Sequence, residues 1–69
     1  MTVSSYRLIE ILEAEGWKLV RGRGKGDHRI FKKGNLTAPP IPHPKKDLPL
    51  GTVRNVLRGC GIEPKKYLK

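Results

Sequence analysis

His28 ends the run Gly22-Arg23-Gly24-Lys25-Gly26-Asp27-His28 and is one of two histidines in a 69-residue chain of formal net charge +9. An imidazole exchanges protons near neutral pH, so it can take the proton from a hydroxyl that then attacks phosphorus. A glycine-rich basic loop beside it lets backbone N–H groups and cationic side chains come close to a phosphate. If the hydroxyl is the 2′-OH of RNA, the alkoxide attacks the adjacent phosphodiester. Negative charge then builds on the phosphorane oxygens, where fixed cations lower the barrier without a metal. His28 is therefore the candidate catalytic base, with Arg23, Lys25, Arg29, Lys45 and Lys46 as candidate RNA-binding groups. The leaving 5′-oxygen needs a proton, and the sequence leaves its source open among His43, Lys25, Lys45, Lys46 and water. Of these, His43 and Lys25 are the candidates for catalytic support.

Competing chemistries fit less well. The loop reads G-x-G-x-G, without the spacing of a dinucleotide fingerprint, and Lys25 is followed by glycine where a P-loop needs Ser or Thr for magnesium. His28, His43 and Cys60 share no metal-ligand spacing, so neither a metal nor a cofactor is expected. Cys60, the only cysteine, excludes an intramolecular disulfide and falls in an apolar helical pattern, which reads as a packed thiol. No apolar run approaches a membrane span and no signal-peptide pattern opens the chain, so a cytoplasmic protein without a membrane partner is expected.

The distribution of charge says more than its total. Residues 1–17 carry one basic residue, Arg7, against Glu10, Glu13 and Glu15; the other fourteen basic residues lie in 18–69 with only three acids. Such asymmetry suits a polyanion bound to one side of a fold, because each cation that neutralises a phosphate releases condensed counterions.

A single α+β domain over residues 1–64 can position these groups, followed by a loosely held basic tail at 65–69. Ser4 suits the N-cap of a helix running to about Glu15, with Val3 and Leu8 as a hydrophobic staple, Leu8, Ile11 and Leu12 as its apolar stripe, and Gly16 as its stop. Alternation over residues 17–21 predicts a strand with one buried face. A second strand follows the glycine loop, with His28, Ile30 and Lys32 on one side and Arg29, Phe31 and Lys33 on the other. Gly34-Asn35 turns the chain into a third extended segment, which its prolines confine to an edge or force out of the sheet by Pro40. Val53, Val56, Leu57 and Cys60 then mark a second helix, helped at its start by Asp47 and ended at Gly61. In that order, α-β-β-β-α, both helices can cover one sheet face and leave the other to a partner. The Pro42-His43-Pro44-Lys45-Lys46 stretch is expected to form a rigid basic rim over the same groove as His28.

The pattern resembles the HicA-type messenger-RNA interferase toxins of HicA/HicB toxin-antitoxin modules. The resemblance runs from the helix ending in Glu15-Gly16-Trp17, through Gly26-Asp27-His28-Arg29-Ile30-Phe31, to the block from His43 to Arg54. It implies a double-stranded-RNA-binding-domain-like fold, cleavage of single-stranded messenger RNA, a catalytic role for His28, and silencing by a HicB-type antitoxin. Asp27 stands where the family usually has serine, which places a carboxylate beside the histidine and removes a hydroxyl. The residues alone leave two other readings open: a non-catalytic RNA-binding module, and a DNA-binding or ribosome-associated basic protein.

Overall fold

The first helix, α1, spans Ser5–Ala14, preceded by a short strand β1 at Thr2–Val3. In this computed structural model, which describes residues 2–20 and 28–68, Ser4 caps α1 by accepting the Arg7 N–H at 3.1 Å. Gly16, at φ 93°, turns the chain out of the helix as a residue without a Cβ can. Leu8, Ile11 and Leu12 are buried, and Val3 and Ile9 pack against them.

The strand region has more pieces than the three expected. Strands β2 (Lys18–Leu19), β4 (Phe31–Lys33) and β5 (Leu36–Thr37) form an antiparallel sheet in the order β2-β4-β5. Strand β3 (His28–Arg29) leads into β4 through Ile30, whose carbonyl accepts the Val20 N–H at 2.8 Å. The turn at Gly34-Asn35 joins β4 to β5, with Gly34 at φ 59°; a glycine in the first central position is what a type II′ hairpin asks for.

The proline-rich segment lies at the edge, as expected, but it does not leave the sheet by Pro40. Ile41–Pro42 forms β6 and pairs with β3, Arg29 opposite Ile41 and His28 opposite Pro42. Upstream, the Ala38 N–H bonds the Phe31 carbonyl at 2.9 Å. Ile30 alone therefore stands against Pro39 and Pro40, which makes a β-bulge where two residues that donate no N–H are accommodated without losing a ladder bond. Both Ala38 and Ile41 reach the core as a result.

The second helix, α2 (Leu50–Gly59), buries Val53, Val56 and Leu57, while Cys60 at its end is half-buried. Helical and sheet side chains meet in one core with Phe31, Ala38, Ile41 and Trp17, so both helices lie on the same sheet face. Each buried Leu, Ile, Val or Phe side chain contributes on the order of 1.5–3 kcal/mol. Trp17, just before β2, is buried as expected, whereas Leu19 within the strand stays 43% exposed.

Two expectations need correction. Asp47 does not cap α2: its carboxylate accepts the Thr2 hydroxyl at 2.9 Å, and Pro49 occupies the N-cap without a side-chain bond. The same stretch forms β7 (Leu48–Pro49), which pairs with β1 and ties the chain start to α2. Thr2–Val3 is too short to show alternation, so its pairing left no signal. The basic tail is not loose either. A 3-10 turn at Pro64–Lys66 sets Tyr67 and Leu68 against the core, and both Tyr67 Oη and Lys66 Nζ bond the Glu15 carboxylate, the latter at 2.8 Å. Tyr67 and Leu68, set among the lysines, give this segment something to bury, which net charge alone concealed.

Candidate active site

His28 owes its position to two ladders. The Val20–Ile30 bond fixes the strand on one flank, and Pro42 faces His28 on the other. Directly opposed residues share a sheet face and successive residues alternate. Arg29 pairs with the fully buried Ile41 and so points to the helix side; His28 and Pro42 therefore point to the open side. The His28 side chain is exposed there.

His43 sits one residue beyond Pro42, and alternation sends it to the helix side. Its Nδ1 lies 2.7 Å from Ser5 Oγ, and its ring meets that of Tyr6 edge-on at 4.7 Å between centroids. His28 and His43 are thus close along the chain pairing but do not face one groove, contrary to the expected shared rim. Strand period 2 accounts for this, since a one-residue step reverses the face.

Ser5 organises this second cluster. It is fully buried, its Oγ accepts the Lys45 N–H at 2.9 Å, and its own N–H donates to the Lys45 carbonyl at 2.8 Å. The same Oγ makes its hydrogen bond with Nδ1 of His43 in a direction that follows the imidazole's tautomer. Lys45 is held by its backbone while its side chain stays exposed, as does that of Lys46. The sequence did carry a signal for Ser5: it falls on the same helical stripe as Leu8 and Leu12, where a polar residue needs a partner.

Arg29 is half-buried and already engaged within the protein. Arg23, Lys25 and Asp27 lie outside the described residues. The structure thus brings His28 to an open face, gathers His43, Ser5 and Lys45 at the start of α1, and sets Arg29 on the helix side. Among the described residues no three of His, Cys, Asp and Glu come together as a metal site, and no helix is long and apolar enough to cross a membrane. Burial pushes the Cys60 thiol up to about 11, away from the thiolate a nucleophile needs.

A family model described as the HicA toxin of bacterial toxin-antitoxin matches residues 5–62. No curated protein matches the chain. The matched span begins at the buried Ser5 and ends at the buried Ile62, so it contains both helices and the whole ladder that carries His28.

Proposed function

Because the chain belongs to the HicA family of toxins from bacterial toxin-antitoxin pairs, we propose that it is an endoribonuclease that cuts single-stranded messenger RNA with His28 as general base. One observation carries this reading: the imidazole of His28 stands on the uncovered sheet face, its strand held by backbone pairing on both flanks, directly after the glycine-rich basic run of the sequence. Its ring takes the proton from a ribose 2′-hydroxyl. The 2′-oxygen forms a bond to phosphorus, the bond to the 5′-oxygen breaks, and that oxygen leaves as a hydroxyl once protonated. The products are a 2′,3′-cyclic phosphate and a 5′-hydroxyl end.

Arg23 and Lys25 from the basic run before His28, and Lys45 and Lys46 from the segment after Pro42, supply positive charge around the phosphate; Arg29 adds to it from the strand's other side. The exposed base works beside solvent, where each cation is screened, so several must act together to stabilise the phosphorane. His43, oriented by Ser5, supports the site from the helix side. The cognate partner is a HicB-type antitoxin whose binding covers this face.

The test is His28→Ala assayed on a single-stranded RNA in EDTA. Cleavage should fall by about 10²–10⁴, while salt-sensitive RNA binding remains. Full cleavage by the variant removes His28 from the mechanism. RNA left uncut by the wild-type protein in nuclease-free preparations makes this a passive RNA-binding domain. Ends carrying a 5′-phosphate point instead to attack by water.

A further inference from the structure

The open sheet face carries a second cationic feature away from His28. Lys18 of β2 lies directly opposite Lys32 of β4, and Lys32 lies directly opposite Thr37 of β5. The three form one row across the sheet, on the same side as Ile30 and His28, while Phe31 and Ala38 of the intervening positions are buried under the helices. Lys18 and Thr37 are exposed and Lys32 is half-buried.

Like charges directly opposite each other on a sheet face destabilise it. Lys33 has a counterion nearby: its side chain passes over Gly16, and its charge helps hold the Glu15 carboxyl below the usual carboxylate range. Neither Lys18 nor Lys32 has such relief among the described residues, where the ion pairs are Arg7–Glu10 and Lys66–Glu15. An anion seated between the two ammonium groups removes the repulsion, and the Thr37 hydroxyl adds a neutral donor to the same row.

Resting on the ribonuclease reading above, we propose that Lys18, Lys32 and Thr37 bind a second phosphate of the single-stranded RNA, distinct from the phosphate that is cleaved. From His28 to Lys32 the strand advances four residues, or about 13 Å at the usual strand rise. One phosphate cannot reach both, so the RNA must run along the strand. Val20 and Ile30, half-buried and paired between the two rows, give the intervening sugar or base an apolar surface to lie on.

The experiment measures RNA affinity against salt on the His28→Ala background, which leaves the oligonucleotide intact. Lys18→Gln/Lys32→Gln is compared with its parent and with Arg54→Gln/Arg58→Gln, which removes the same charge from the exposed side of α2. Loss of one phosphate contact lowers the magnitude of the salt slope by about 0.7, so a rise from about 50 to 200 mM salt weakens the parent about 2.5-fold more than the lysine variant. The α2 variant should keep the parental slope. In the cleaving protein, the lysine variant should raise KM for a long oligonucleotide and leave a dinucleotide substrate unaffected. A lysine variant with the parental slope, or one no different from the α2 variant, overturns the second phosphate site and leaves His28 untouched. A wild-type protein that neither binds nor cuts RNA overturns both readings together.

Discussion

Ser5→Ala tests whether the Lys45 segment is clamped to α1 through one hydroxyl. The substitution removes a fully buried oxygen that accepts the Lys45 N–H at 2.9 Å and contacts His43 Nδ1 at 2.7 Å, while the backbone bond from Ser5 N–H to the Lys45 carbonyl survives. A typical hydrogen bond contributes about 0.5–1.5 kcal/mol net. Two such bonds set an upper value of about 3 kcal/mol, but Lys45 is exposed and His43 only half-buried, so water can take over part of what is lost. The expected cost is therefore about 1–2 kcal/mol, against a total of about 3–10 kcal/mol for a domain this size.

The variant should stay folded, and urea denaturation followed by the fluorescence of the buried Trp17 reads the cost. A double-mutant cycle with His43→Ala isolates the side-chain pair, with an expected coupling of about 0.5–1.5 kcal/mol. In the cleaving protein, Ser5→Ala should lower kcat more than it raises KM, because the RNA-facing lysines are retained. A coupling below about 0.3 kcal/mol, with kcat unchanged, refutes the clamp and removes Ser5 and His43 from the account of the site.

The two glycines of α2 should respond in opposite ways to alanine. Gly51 has open space where a Cβ would go, so Gly51→Ala should stabilise by about 0.5 kcal/mol through helix propensity. A Cβ at Gly59 would come 2.9 Å from the ring Cγ of Pro39, so Gly59→Ala should destabilise by about 1 kcal/mol or more despite the same propensity gain; thermal melts of both decide it. The Glu15 carboxyl is held below its usual range, chiefly by the Lys66 ammonium and then the Tyr67 hydroxyl. Its contribution to docking the tail is thus complete above the ordinary carboxylate pKa and lost as pH falls through the lowered one. Tryptic cleavage after Lys65 and Lys66 should accelerate at neutral pH in Glu15→Gln, and tail signals in NMR should sharpen in the wild-type protein only on strong acidification. Cys60, with its thiol pushed up to about 11, should react with thiol reagents at neutral pH far more slowly than a model thiol.

The elements that were legible in the sequence are those whose periodic side chains meet a single core. Leu8, Ile11 and Leu12, and likewise Val53, Val56 and Leu57, announce their helices by spacing, and the faces of residues 28–33 follow from alternation alone. The bulge was not legible, because Pro39 and Pro40 argue against a ladder unless Ile41 is known to return to the core. Nor was the fate of His43. A histidine flanked by prolines offers no period, and only the pairing of His28 with Pro42 settles which way it faces. The tail misled through its charge: Tyr67 and Leu68 pack, partly buried, against the core while Lys66 finds Glu15.

On the ribonuclease reading proposed above, placing the candidate base on an open sheet face also constrains how cleavage can work. Both helices lie on one side of the sheet, and the His28 side chain is exposed on the other. A base at His28 would therefore act in a medium of high effective dielectric, where each cation near the phosphate stabilises the transition state less than it would in a buried site. Rate must then come from holding the RNA in register, and register on an open surface requires contacts on both sides of the reacting phosphate. Lys45 and Lys46 follow Pro42 at one end of the ladder, and Lys18 and Lys32 stand about 13 Å along the strand from His28 at the other. Cleavage efficiency should accordingly climb with oligonucleotide length until both ends are occupied and then level off. A dinucleotide cut as efficiently as a long RNA is incompatible with positioning of this kind.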